Sequence, residues 1–318
     1  MPPPPSTRVR VPVTLQTVAD RVGVSTMTVS NVINGRGKVS VETRARVKEA
    51  IRITGYVPNI AARRLAGAAG TRLALLYPDV RSPFLTDVLL TALASVNAVG
   101  AQLIVREGRQ ATMEHAEQLV MEAIEAGAEG LLLVPPYAEL LAASSYFQRL
   151  GIPAVAIAGA AELQGMQTVR IDNRQAAAQL TAHLASAGHT RIAFITGPVD
   201  HGDSRERLLG YQDAMRELGL SIDPECVCSG RFSFQSGCEA AEVLLALERG
   251  PTAVLASNDD MALGVLWVAQ RAGLRVPEDL AVAAFDDTAA SRRAWPPLTV
   301  AAQPLTGMAD LAVAAVIG

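Results

Sequence analysis

Apolar residues in the first seventy positions recur three and four apart, in short runs with clear stops. Leu15, Val18, Ala19 and Val22 form one stripe, and Val29, Val32 and Ile33 form another. Thr14 can cap a helix over Leu15–Arg21, and Gly23 permits a tight turn. Ser25 can cap a second helix from Thr26 to about Asn34. Asn34-Gly35-Arg36-Gly37 reads as a loop. Ser40 can cap a third helix over Val41–Thr54, which Gly55 ends. Pro58-Asn59 opens a short alanine-rich helical segment, Asn59–Leu65, before the linker Gly67-Ala68-Ala69-Gly70. Residues 1–12 are rich in proline and predict a disordered arm.

Beyond Arg72 the period changes. Short, continuous apolar runs alternate with longer helical patterns. Strands are predicted at Leu73–Tyr77, Gln102–Val105, Gly130–Val134, Ala154–Ile157, Thr168–Ile171, Arg191–Thr196, Ala253–Ala256, Leu280–Phe285 and Leu298–Ala302. Strands apolar on both faces imply parallel sheets covered by helices. The alternation restarts near Thr168 after a strandless stretch, which favours two lobes over one large sheet, with a cleft at the carboxyl ends of the strands. The domain expectation is an arm at 1–12, a helix-turn-helix at 13–57, a hinge helix and linker at 58–70, and a two-lobed domain at 71–318.

Charge sharpens this division. Residues 1–72 carry 12 Lys/Arg against 3 Asp/Glu, and the remainder carries 16 against 28. A basic head on an acidic body suggests that only the head meets a polyanion. Three cysteines, Cys226, Cys228 and Cys238, make no disulfide framework and suit a reducing cytoplasm. Cys226-x-Cys228 has no second pair or nearby histidine to complete a four-ligand site, so no metal and no cofactor are expected. Met1–Pro12 has no apolar run of a signal peptide, and no stretch reaches the roughly 18 apolar residues that span a bilayer. These features predict a cytoplasmic protein with no membrane contact.

The head pattern is that of a helix-turn-helix. If Leu15, Val18, Ala19, Val22, Val24, Val29, Val32 and Ile33 pack together, the opposite face of the second helix presents Thr26, Met27, Ser30 and Asn31. Small hydroxyl residues at a helix N-terminus suit phosphate, because free N–H groups already point there. The alternative is a plain three-helix bundle with a polar face.

The run V-T-L-Q-T-V-A-D-R-V-G-V-S-T-M-T-V-S-N-V-I-N-G resembles the DNA-binding region of the lactose/galactose repressor family. So do V-S-V-E-T-R-A-R-V-K-E-A-I, G-Y-V-P-N and A-A-R-R-L-A-G, and the likeness is gap-free over Thr14–Gly67. The resemblance implies a lambda-repressor-like head with Thr26, Met27 and Asn31 reading bases in the major groove. It implies phosphate contacts from Thr14, Ser25, Thr28, Ser30, Asn34, Thr43 and Asn59. Asn59–Leu65 would be the hinge helix in the minor groove, with Ala62 lining it and Leu65 as the wedge that kinks the duplex. The alternative for Leu65 is packing on the body. A seven-residue segment is too short to hold a helix alone, so it can fold on the operator under ligand control. Two hinge helices share one groove, so a homodimer on a near-palindromic double-stranded operator is expected, with a tetramer left open. Asn31 stands where many family members have arginine. Asparagine favours adenine where arginine favours guanine, so a different half-site is expected at that base pair.

The resemblance continues through Y-P-D-V-R-S-P-F-L, G-L-L-L-V-P-P, V-R-I-D-N, G-H-T-R-I-A-F-I-T-G, R-L-L-G-Y, S-N-D-D-M-A-L-G, A-A-F-D-D-T and P-P-L-T-V-A-A-Q. It implies an α/β two-lobed effector domain similar to periplasmic sugar-binding proteins. By their own position Asn258 and Asp259, Asp286 and Asp287, and Gln303 fall at strand carboxyl ends. The resemblance implies hydrogen bonds to the effector from Arg207, Asn258, Asp286 and Gln303, and apolar walls from Phe84 and Phe232. Ser82 and Asp79 are weaker candidates, and His201 and Asp203 lie near contact positions. Paired donors and acceptors with an aromatic face suit a sugar or sugar derivative. The alternatives are loop caps for Asp286 and Asp287, and a surface ion pair of Arg207 with Glu206 or Asp213.

The segment before Gly318 reads as a helix that the resemblance would follow with a further strand. A naturally short and a truncated C-terminus are both open, and truncation would cost the N-terminal lobe an edge element. The function expected is a ligand-controlled transcriptional regulator, a repressor by resemblance, with the sign of control open. A sugar-transport binding protein fits neither the absent signal peptide nor the head. An α/β enzyme is disfavoured because no nucleophile elbow, phosphate loop or dinucleotide fingerprint occurs.

Overall fold

The computed structural model describes residues 13–33, 39–54, 56, 71–79, 82–159, 163–199 and 201–318. The head holds α1 (Leu15–Val22), α2 (Thr26–Ile33) and α3 (Val41–Thr54). Helices α1 and α2 have eight residues each, well below the roughly 12–15 that persist alone in water, so packing must hold them. Val18, Ala19, Val22, Val29, Val32, Val47, Ala50 and Ile51 form that shared core, with Leu15 and Val24 at its margin. Thr14 caps α1 by accepting from the Thr17 N–H at 3.3 Å, and Gly23 (φ 73°) supplies the left-handed turn that ends it. Arg46 of α3 donates to the Val22 carbonyl at 2.6 Å, satisfying an acceptor that the end of α1 leaves open.

Each lobe of the body is a five-stranded parallel sheet. The first contains β1 (Arg72–Pro78), β2 (Gln102–Gly108), β3 (Gly130–Leu133), β4 (Ala154–Ile157) and β5 (Gln167–Val169), in the order β2-β1-β3-β4-β5. The second contains β6 (Ile192–Thr196), β7 (Val227–Ser229), β8 (Ala253–Ala256), β9 (Ala281–Asp286) and β10 (Thr299–Ala302), in the order β10-β9-β8-β6-β7. Read from the second strand of each series the two orders are the same, 2-1-3-4-5, so each sheet has one switch point beside its first strand. All the pairings within the two sheets are parallel. Strands β3 and β8 are buried throughout, as their unbroken apolar runs require.

Helices cover both faces of each sheet. On the first, α4 (Pro83–Ala98) and the last helix pack on one side. Helices α5 (Met113–Glu125), α6 (Tyr137–Ala142) and α7 (Ser145–Leu150) pack on the other. On the second, α8 (Asn173–Ser186) and α9 (Gly202–Glu217) lie opposite α10 (Phe234–Leu245) and α11 (Asp259–Arg271). Helix α12 (Ala289–Arg293) is short, and α13 (Leu305–Ile317) returns to pack on α4 and the first sheet. The chain therefore passes between lobes at Arg170–Asp172 and again at Gln303–Pro304.

Two sequence expectations need correction. Thr168 does not open the second lobe: it belongs to β5, which pairs with β4 at the edge of the first sheet, and the second series begins at Ile192. Strand β7 was not foreseen. It has three residues, two of them Cys228 and Ser229, and its strand character comes from pairing with Phe194–Thr196. Of the cysteine pair, Cys228 lies in this edge strand and Cys226, just before it, is buried in the core. Among the described residues no cluster of His, Cys, Asp or Glu is arranged to hold a metal, and no helix is long and apolar enough to cross a membrane.

Candidate functional site

The head offers one outward face. Ser25 caps α2 by accepting from the Thr28 N–H at 3.1 Å, and its hydroxyl lies 2.9 Å from that of Thr28. Thr26 is exposed and Met27 is 68% exposed, while Ser30 and Asn31 are half-buried on the same side. Val29, Val32 and Ile33 are buried on the other. Ser40 accepts from the Thr43 N–H at 3.2 Å and donates to the Thr43 hydroxyl at 2.8 Å, so Thr43 opens α3 on a cap. Asn34, Asn59, Ala62 and Leu65, with the hinge helix and the arm, lie outside the described residues.

The second site is a cavity of about 330 Å³ at the carboxyl ends of both sheets. One wall is largely apolar and comes from the first lobe: Pro78, Phe84, Leu85, Val134 and Ala158. The other is polar and comes from the second lobe: Asp203, Arg207, Asn258 and Asp286. Gln303, on the second crossing between lobes, completes it.

Arg207 organises the polar wall. It is 3% exposed, on the inner face of α9. Its Nε donates to Asn173 Oδ1 at 2.7 Å, and its Nη1 donates to the Ser257 carbonyl. The guanidinium carbon stands 4.3 Å from the centre of the Phe285 ring. Two carboxylates flank it at 4.0 Å, Asp203 on the same helix and Asp286 at the end of β9. Gln303 donates its side-chain amide to Asp286 Oδ1 at 2.8 Å and its backbone N–H to the Asp286 carbonyl at 3.2 Å. Burial pushes both carboxyls up to about 6, against the downward pull of Arg207 and, for Asp286, of Gln303 as well.

Backbone strain gathers at the same place. Four non-glycine residues among those described have positive φ: Ala158 (54°), Phe232 (55°), Asp286 (102°) and Asp287 (63°). All but Asp287 line the cavity, and such backbone is held only where the surroundings over-determine it. Phe232 stacks edge-on against His201, with centroids 5.1 Å apart, and its ring lies over Gly197. A Cβ on Gly197 would come within 2.2 Å of that ring. Glycine is therefore the residue that lets Phe232 reach the cleft.

A family model described as bacterial regulatory proteins, lacI family, matches residues 14–59, and one described as a periplasmic binding protein-like domain matches residues 181–318. The chain is 35% identical over 294 residues to the HTH-type transcriptional repressor CytR of Escherichia coli (strain K12), covering 92% of this chain and 85% of that one. The chain belongs to the lacI family. Among solved structures, this lacI-family chain superposes on a complex of the transcriptional regulator CelR with cellobiose, with TM-score 0.69, 33% identity and coverage of 96% of this chain and 92% of that one. It also superposes on the lac repressor dimer bound to operator and the anti-inducer ONPF, with TM-score 0.70, 26% identity and coverage of 96% and 92%. This lacI-family chain is a DNA-binding transcriptional regulator.

Phe84, Arg207, Phe232, Asn258, Asp286 and Gln303 all line one cavity, together with Asp79, Ser82, His201 and Asp203. Their local duties differ. Ser82 caps α4 by accepting from the Leu85 N–H at 3.1 Å. Asn258 caps α11 through Oδ1, which accepts from the Met261 N–H at 3.0 Å, and donates to the Phe232 carbonyl at 3.1 Å. The surface ion pair considered for Arg207, with Glu206 or Asp213, does not form: the guanidinium is buried and donates to Asn173 and the Ser257 carbonyl, and Asp213 pairs with Arg174 and Arg216. Asp259 turns away from the cavity, and its Oδ2 receives the Thr288 N–H at 2.7 Å and hydroxyl at 2.9 Å. Asp287 meets Arg292 at 3.2 Å.

Sequence reasoning missed Arg109, Arg231 and Tyr137 in the lining. Tyr137 is buried and donates to the Gln110 carbonyl at 3.2 Å. Its hydroxyl fills the space that a side chain at Gly108 would take, 1.9 Å from an added Cβ. The signal was the Val134-Pro135-Pro136 stop after β3, which sets Tyr137 just past the carboxyl end of that strand.

Proposed function

We propose that this regulator binds a near-palindromic operator as a homodimer and that a sugar or sugar derivative, closing the cleft, changes its affinity for DNA. The observation that carries the reading is a cavity at the carboxyl ends of two like sheets, apolar on one side and rich in paired donors and acceptors on the other. That division suits a pyranose ring, with C–H faces toward Phe84 and hydroxyls toward Arg207, Asn258, Asp286 and Gln303. Phe232 covers the ring from the second lobe. Relatives support it: one solved regulator carries cellobiose, and the lac repressor dimer carries both operator and an anti-inducer.

On this reading the chain divides into a DNA head at 13–57, a hinge at 58–70 and the two-lobed domain at 71–318. Thr26, Met27 and Asn31 read bases, and Thr14, Ser25, Thr28, Ser30, Asn34, Thr43 and Asn59 hold phosphates. Ala62 and Leu65 enter the minor groove. Met27, exposed at the start of α2, is an apolar side chain with no partner in its own core, which suits contact with a thymine methyl. The protein works as a cytoplasmic sensor without turnover. Ligand binds both lobes, and the crossing at Gln303 carries the lobe rotation to the hinges by differential affinity for two states.

Selection of bound oligonucleotides by the full-length protein, repeated with a panel of sugars and sugar phosphates, tests the proposal. Enrichment of a two-fold symmetric site whose affinity moves with one sugar is expected. Retention of no symmetric site over a scrambled one under any ligand would overturn it.

A further inference from the structure

We infer that Arg109 and Arg231 form an anion subsite at the mouth of the cleft, one guanidinium from each lobe, and that the effector is a sugar carrying a phosphate or carboxylate group. The inference deepens the reading of the cleft as the effector site and rests on it. Arg109 follows the last residue of β2, and Arg231 stands two residues beyond β7. These are the second strands of the two series, each at the edge of its sheet. Both arginines line the cavity and both are exposed, so they stand at its rim.

The two lobes build these loops alike. The Arg109 N–H donates to His115 Nε2 at 3.3 Å, and the Arg231 N–H donates to Ser236 Oγ at 3.0 Å. In each lobe the acceptor is the third residue of the helix that follows, capped by Thr112 in α5 and by Ser233 in α10. The loops are thus pinned through their backbones, and the guanidinium groups are spared. Among the described residues Arg109 has no ion-pair partner. Arg231 meets Glu239 at 2.7 Å, but the two side chains are 63% and 49% exposed, and so wet a pair is exchanged for a ligand anion at little cost. Charge is sorted along the cavity. Its inner wall sets Asp203 and Asp286 around the buried Arg207. Its rim sets two guanidinium groups against Asp79, in a body where acids outnumber bases 28 to 16. A neutral sugar held by the inner wall leaves both rim cations unused. A guanidinium presents a planar fork that matches the oxygens of phosphate or carboxylate, and one phosphate has oxygens for two forks. Because the forks come from opposite lobes, such an anion also ties the lobes together and favours the closed state.

Full-length wild type, Arg109→Gln, Arg231→Gln and the double variant would be titrated by calorimetry. The probes are glucose and galactose, their 1- and 6-phosphates, glucuronate and galacturonate. An anionic form is expected to bind wild type roughly tenfold tighter than its parent sugar, the scale of one charge-assisted hydrogen bond. Each single variant should lose most of that margin and the double variant all of it, with a much smaller change for the parent sugar. The relative gains of phosphates and uronates identify the anion. Binding of neutral sugars with no margin for any anionic form overturns the inference and leaves the cleft as a sugar site. A loss in the variants that is equal for neutral and anionic forms also overturns it, because the arginines then only shape the loops. If no sugar derivative binds, the sugar reading of the cleft fails, and inorganic phosphate decides the subsite. At constant ionic strength phosphate should raise the melting temperature of wild type more than that of the double variant. An equal rise would place phosphate on the basic head, and that result or no rise at all overturns the subsite.

Discussion

Replacing Arg207 by methionine keeps an unbranched stem of similar reach and removes the buried cation that two carboxylates flank. The lost contacts are the donations to Asn173 and Ser257, the attraction to Asp203 and Asp286 at 4.0 Å, and the face-on contact with Phe285. Removing one partner of a buried charge cluster costs about 3–5 kcal/mol, because the remaining charge stays uncompensated. The sign of the pH dependence follows from the carboxyls. Both are raised in the folded protein to about 6 from an ordinary 3.8, so their ionisation opposes folding. Stability linked to them is complete below about pH 4 and is lost as pH rises through 6. In wild type this amounts to roughly 1 kcal/mol per group between pH 5 and pH 8. Without Arg207 both carboxyls titrate higher still, so Arg207→Met should lose most at pH 8 and much less at pH 5. Urea unfolding of the full-length protein at the two pH values, followed by circular dichroism, measures both numbers. An equal loss at pH 5 and pH 8, or a loss below about 1 kcal/mol at pH 8, would refute the account of this cluster.

Further consequences follow from other residues. Gly197→Ala places a Cβ 2.2 Å from the Phe232 ring and should shift that ring. A stability cost of about 1–3 kcal/mol is expected. Ligand-induced change in operator affinity should fall with it, and fluorescence anisotropy with an unaltered response would count against the wall assigned to Phe232. Ser25→Ala removes the α2 cap and should lower head stability by about 1 kcal/mol. Its DNA affinity should fall on all sequences alike, which competition with scrambled DNA would reveal. Asn31→Arg should move the preferred base at one half-site position from adenine to guanine, worth about 1–3 kcal/mol of discrimination. An unmoved preference in binding selections would remove Asn31 from the readers. Raising salt should weaken operator binding steeply and leave affinity for a neutral sugar little changed, since only the head is basic.

Much of this protein is legible in local patterns. Thr14, Ser25 and Ser40 signal helix starts because a side-chain oxygen can serve N–H groups three residues away, and each does so. Gly23 marks a left-handed turn, and the apolar stripes of α1 and α2 predicted the head core nearly residue for residue. Strands β3, β4 and β8 announced themselves as unbroken apolar runs. These signals act over a few residues, within reach of the backbone that carries them, so the sequence by itself determined them.

What the tertiary structure decided depends on partners far along the chain. Thr168 is a strand of the first sheet because β4 lies beside it, and Val227–Ser229 is a strand only because β6 offers its edge. Arg207 has a surface-type sequence context beside Glu206, yet packing of α9 on the second sheet turns it inward onto Phe285 and the Ser257 carbonyl. Tyr137 joins the cleft through the space above Gly108, twenty-nine positions away. Positive φ at Phe232 has no local residue signature, since it is neither glycine nor one of the short polar residues that tolerate it. Pairing, burial and strain of this kind arise from surfaces brought together by chain topology, and a periodicity of two or 3.6 residues carries no information about them.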